Sequence, residues 1–72
     1  MTDEETIDWP EALRKLEEGE IVLAGQTHNL AVTLTDAKGH RYVTREPEID
    51  AIVRAINDLP AETRNKIALL SE

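Results

Sequence analysis

The stretch LAVTLTDAKGHRYVTR, residues 30–45, alternates apolar and polar side chains and carries a glycine-containing turn in its middle. Its first half, residues 30–36, shows the clearer alternation. Three apolar side chains there share one side of an extended chain: Leu30, Val32 and Leu34. Because successive side chains of a strand point to opposite faces, this run predicts a strand with one buried and one solvated face.

The segments on either side extend this strand into a sheet. In chain order, the sequence predicts a strand at 20–24, a turn at 25–29, the strand at 30–36, a turn at 36–39 and a last strand at 40–45. In that last strand either Tyr42 or Val43 faces the core, and the alternation does not decide between them. The pattern predicts a three-stranded antiparallel meander with one solvent-exposed face.

Helices are predicted before and after the meander. Asp8 is a favourable N-cap for a helix over residues 9–18, and Gly19 supplies its left-handed end. Residues 48–58 and 61–70 each follow a proline and carry an apolar stripe, which predicts two further helices.

Together these elements predict a single α+β domain over residues 1–72, in the order α-β-β-β-α-α, with the helices packed on one face of the sheet. Residues 1–6 are expected to form a flexible acidic N-terminus. A helical bundle with a hairpin insertion is the alternative architecture that the sequence leaves open.

The composition limits the classes of function. Fifteen acidic and eight basic residues give a net charge of −7, which repels nucleic-acid phosphates and anionic lipid surfaces. The sequence has no cysteine and only two histidines, so we expect no metal site and no cofactor. No apolar run is long enough to span a bilayer, so we also expect no membrane insertion.

Enzyme activity is not expected either. The histidines, His28 and His40, have no predicted nucleophile beside them, and the single serine is Ser71, in the last two residues of the sequence. A domain of this size has little room for a convergent polar pocket, so no small-molecule substrate is expected. A histidine buried beside a carboxylate in a cleft would favour the opposite interpretation.

Contacts with a partner are expected on the strands of the meander. The candidate partner-binding residues are Thr33, Thr35, His40, Arg41 and Arg45. The threonines are expected to form a polar sheet face by cross-strand pairing, and the arginines offer cations to an anionic group. The alternative is a purely structural role, because arginines often cover a sheet face with their aliphatic stems.

The segments IDWPEALRKLEEGEI and VTLTDAKGHRYVTREPEIDAIVRAI resemble the small extracytoplasmic domain of the FtsH family of membrane-anchored AAA+ metalloproteases. The likeness covers about residues 7–57 and rests on Trp9, Gly19, Asp36, Gly39, Tyr42, Thr44, Pro47 and Asp50. Ala12 departs from it, because the family usually has a bulky aromatic residue at this place. The resemblance implies a non-enzymatic module for self-association or partner contact, since the ATPase and the zinc protease of that family are separate domains.

The expected location depends on whether the sequence is complete. A complete chain is expected in the cytoplasm, and an excised domain of the FtsH type is expected outside it.

Two functions of different kinds fit these observations. The first is a protein-interaction module that binds itself or another protein, through an open sheet edge at 20–24 or 40–45 or through a C-terminal helix that carries Leu69. The alternative is a small acidic inhibitor or nucleic-acid mimic, of the kind phages and mobile elements encode, that binds a basic protein surface. Size and charge favour this alternative, and the arginines and lysines interspersed among the carboxylates weaken it.

Overall fold

The computed structural model describes residues 4–71, which form one sheet and three helices. The elements are β1 (Glu4–Thr6), α1 (Trp9–Glu17), β2 (Ile21–Gln26), β3 (Ala31–Asp36), β4 (Arg41–Arg45), α2 (Ala51–Asn57), α3 (Ala61–Arg64) and β5 (Ala68–Ser71). The five strands lie in the order β1-β4-β3-β2-β5.

The predicted three-stranded antiparallel sheet is wrong. Strands β2, β3 and β4 pair antiparallel, but β1 adds to β4 in parallel and β5 adds to β2 in parallel, so the sheet is mixed and has five strands. The predicted order α-β-β-β-α-α therefore becomes β-α-β-β-β-α-α-β. A helical bundle is excluded by the same sheet.

Strand β1 lies within the segment that was predicted to be flexible. Glu4 pairs with Arg41, and the Arg41 guanidinium lies 3.3 Å from the Glu4 carboxylate. The N–H of Ile7 continues the ladder by donating to the carbonyl of Val43 over 2.9 Å. An acidic tripeptide has no apolar alternation, so its partner on β4 is what makes it a strand. The remainder of the predicted flexible segment, residues 1–3, lies outside the described residues.

Strand β5 replaces the second half of the helix predicted over 61–70. Helix α3 ends at Arg64, a turn follows, and the chain then runs beside β2 with Gly25 opposite Leu70. Alanine and leucine favour helices when considered alone. Pairing with β2 outweighs that preference, because tertiary context commonly overrides the propensity of a short segment.

Helices α1 and α2 pack on one face of the sheet and enclose the core. Its buried members are Ala12, Leu16, Ile21, Ala24, Val32, Leu34, Ile52, Ile56 and Leu59. Tyr42 packs against this cluster, and the Lys15 ammonium lies 4.2 Å from the centre of its ring. Tyr42 is therefore the inward residue of β4, and Val43 lies on the opposite face.

The N-terminal cap predicted for α1 is confirmed. The Asp8 carboxylate accepts a hydrogen bond of 2.9 Å from the N–H of Glu11, and Gly19 follows the helix with φ of +79°. These signals are local in the chain, so the sequence alone suffices to locate this helix.

Candidate interaction surface: the open face and the free edge of the sheet

The sheet face opposite the helices collects most of the predicted partner-binding residues. The register places Thr35 beside Arg41, and Ala31 beside Arg45, on this open face. Thr33 lies between them, so four of the five candidates share one surface. Period-two alternation accounts for this arrangement, since residues two apart in a strand share a face.

His40 is the candidate that the structure separates from the other four. It precedes Tyr42 by two positions and lies on the helix side, with its ring centre 4.6 Å from that of Tyr42. Its Nε2 lies 3.5 Å from a carboxylate oxygen of Glu5. His40 therefore does not contribute to the open face.

The middle of the open face is less polar than the predicted threonine surface. One row across the sheet runs through Thr6, Val43, Thr33, Gly25 and Leu70, in the order of the strands. A second row includes Leu23 and Ala68, which are also neighbours in the register. The residues of both rows are half-buried or exposed, so apolar and threonine methyl groups are accessible on the open face.

The two edges of the sheet differ in charge. Strand β1 carries Glu4 and Glu5, and charged side chains are a common protection of an edge against pairing with another chain. Strand β5 has the sequence ALLS and carries no charge. Leu69 and Leu70 on it are 39% and 60% exposed, and no described strand pairs with its outer side.

This arrangement corrects the expected positions of the open edges. Strands β2 and β4 correspond to the predicted edge segments, but β5 and β1 pair with them, so both are interior strands. Leu69 belongs to edge strand β5 and not to a helix. The free edge was missed because strand β5 was predicted as a helix.

A cleft of about 930 Å³ lies beside the β3–β4 turn, and His40 and Tyr42 line it from the side of the sheet that faces the helices. Its charged and aromatic lining residues are Glu20, Asp36, Lys38, His40, Tyr42 and Lys66. None of its lining residues is a serine, threonine or cysteine, and His28 is exposed in the turn at the other end of the strands. The lining residues therefore bring no serine or threonine hydroxyl and no thiol to the imidazole.

Asp36 in this cleft holds the turn together. Its carboxylate accepts hydrogen bonds from the N–H groups of Lys38 and His40, at 3.0 and 2.9 Å. Desolvation raises the pKa of Asp36, but the two hydrogen bonds and the nearby charges of His40 and Lys38 together lower it, so the pKa lies below its ordinary value. Asp36 thus has a structural role in this turn.

A buried polar cluster joins the ends of β2 and β4 to the start of α2. Glu46 is 1% exposed, and its Oε1 accepts a hydrogen bond of 2.9 Å from the N–H of Ile52. Asp50 accepts a hydrogen bond of 2.9 Å from the Gln26 amide. The sequence carries no signal that separates buried Glu46 from exposed Glu48, since both flank Pro47. No group of three or more metal-ligating side chains occurs in the part of the chain that the structure describes.

Comparison with known proteins identifies no family for this chain. The sequence matches no protein-family model and no curated protein. The resemblance to the FtsH extracytoplasmic domain therefore stays a prediction. Among residues 4–71, none of the helices has the length and apolar character needed to cross a bilayer.

Proposed function

We propose that this chain is a non-enzymatic interaction module that self-associates through the free edge of β5. The supporting observation is the contrast between the two edges: β1 carries two carboxylates, whereas β5 carries exposed Leu69 and Leu70 and no charge. An uncharged, apolar edge strand is a site for strand addition.

In the proposed dimer, two β5 strands pair antiparallel about a twofold axis. Such an axis applies the same patch to both copies, so one strand suffices to build the interface. The two sheets become continuous, and the Leu70 side chains of both copies meet on the open face. Leu69 of each copy lies on the helix side of the junction. The FtsH resemblance is compatible with this proposal, because it implies a non-enzymatic module for self-association or partner contact.

The strength of the association is limited by the size of the edge. Strand β5 has four residues, so the interface belongs to the small, transient class. We expect a dissociation constant of about 10–100 µM, which corresponds to about 5.5–7 kcal/mol of binding free energy.

The experiment is sedimentation velocity over a concentration range, with two matched variants. Leu70→Lys introduces a charge at the proposed junction and is expected to weaken the dimer at least tenfold. Thr6→Lys is the control, because Thr6 ends the same row of the open face at the opposite edge. It adds the same charge and is expected to leave the dimer unchanged.

Two results would overturn the proposal. One is a wild-type chain that stays monomeric to millimolar concentration. The other is equal weakening by both variants, which would place the interface elsewhere. Circular dichroism of each variant establishes that the fold is kept.

A further inference from the structure

A groove between α1 and α2 lies on the helix side of the molecule, on the opposite face from the open sheet surface. Its volume is about 360 Å³, at the lower end of the range for ligand pockets. The apolar lining consists of Trp9, Leu13, Leu16, Ala51, Ala55 and Leu59. A groove of this size and composition suits an inserted apolar side chain better than a polar substrate.

The charged residues along the groove are predominantly acidic. Glu17 and Asp58 line it, and neither forms an ion pair with any residue between 4 and 71. Arg54 also lines it, but its guanidinium is paired with the Glu48 carboxylate. The uncompensated charge of the groove is therefore negative, on a chain whose net charge is already −7.

We propose that this groove binds a basic amphipathic segment of a partner protein. An apolar side chain of that segment packs against Trp9 and Leu13, and its lysines or arginines contact Glu17 and Asp58. Complementary charge is the reason for this choice of partner, because nucleic-acid phosphates and anionic lipids meet repulsion at the same place. An amphipathic helix in a groove is a recurring mode of peptide recognition, and tryptophan is enriched among the residues that dominate binding energy.

Trp9 makes the test direct, because it is the single tryptophan of the sequence and lines the groove. The probe is a tryptophan-free peptide of leucine and lysine in amphipathic helical order. We expect a saturable change in Trp9 emission on titration. A peptide with glutamate in place of lysine, and an all-lysine peptide without leucine, are each expected to bind at least tenfold more weakly.

Charge reversal in the chain locates the binding surface. The double variant Glu17→Lys/Asp58→Lys is expected to bind the leucine–lysine peptide at least tenfold more weakly. The matched control is Glu18→Lys/Glu62→Lys, which changes the net charge equally at exposed carboxylates that do not line the groove. Wild-type affinity in the control supports the groove; equal weakening in both double variants, or no emission change in the wild type, overturns it.

The titration is repeated on Leu70→Lys, which separates this proposal from self-association. Peptide binding that persists in this variant belongs to the α1/α2 groove. Loss of binding in this variant would overturn an independent groove site.

Discussion

Two turns of the sheet have the same backbone geometry, but only one of them has glycine at the position where this geometry favours it. In the β3–β4 turn, the N–H of Gly39 donates to Asp36 and the N–H of Asp36 donates to His40. In the β2–β3 turn, the N–H of Leu30 donates to the carbonyl of Thr27, and the N–H of Thr27 donates to the carbonyl of Ala31. The left-handed position is occupied by Gly39 in the first turn, with φ of +86°, and by Leu30 in the second, with φ of +69°. A leucine in this conformation is strained, at a cost of roughly 1–2 kcal/mol.

Replacing Leu30 by glycine is therefore expected to stabilise the chain. Relief of the strain outweighs the greater entropy of glycine in the unfolded state, which costs roughly 0.5–1 kcal/mol. Leu30 does not pack against the buried core cluster, so little apolar contact is lost. We expect a net gain of about 0.5–1 kcal/mol in the free energy of unfolding, measured in urea. Gly39→Ala, the matched control at the equivalent position, is expected to destabilise by about 1 kcal/mol; destabilisation by Leu30→Gly would contradict the account.

The elements that were predicted correctly are those whose signals are local. Helix α1 has its cap at Asp8 and its stop at Gly19, both adjacent to it in sequence. Strands β1 and β5 have no such signals, because each is defined by the interior strand it pairs with. An acidic tripeptide and a leucine-containing tetrapeptide do not specify these pairings by composition. The error in fold class thus arose from non-local pairing at both edges.

Helix α2 depends on a carboxylate from outside the helix. Asp50 precedes it at φ of +66° and makes no capping hydrogen bond, while Glu46 accepts the N–H of Ile52. We expect Glu46→Ala to lower the free energy of unfolding by about 2–4 kcal/mol, because it leaves the buried N–H of Ile52 unsatisfied and opens a cavity. Glu46→Gln keeps an oxygen acceptor, so its free energy of unfolding is expected to lie between those of Glu46→Ala and the wild type.

The neighbouring glutamate supplies the control for this prediction. Glu48 is exposed and pairs with Arg54 at the surface, so Glu48→Ala is expected to change the free energy of unfolding by less than about 1 kcal/mol. Urea unfolding of the three variants makes the comparison. Similar effects of the two alanine substitutions would contradict a capping role for Glu46.

At the scale of the whole molecule, the face of the candidate site was predictable and its edge was not. Alternation in β3 and β4 is enough to place Thr33, Thr35, Arg41 and Arg45 together. The free edge lies on β5, which the sequence alone presents as part of a helix. The groove between α1 and α2 likewise depends on how two helices meet on the sheet, which their separate apolar stripes do not determine.

Salt is expected to have opposite effects on the two proposed interactions, because the net charge of −7 disfavours dimerisation and favours binding of the basic peptide. Two acidic copies repel each other when they join through an uncharged strand, and added salt screens that repulsion. We therefore expect dimerisation through β5 to strengthen as sodium chloride rises from about 20 to 200 mM, across which the Debye length shortens several-fold. Binding of the leucine–lysine peptide to the groove brings opposite charges together, so we expect it to weaken over the same range. Sedimentation velocity and Trp9 emission measure the two responses on the same preparation. A dimer that weakens with salt would indicate an interface built on ion pairs, such as Arg45 with a carboxylate of the second copy, and would contradict assembly through the uncharged edge.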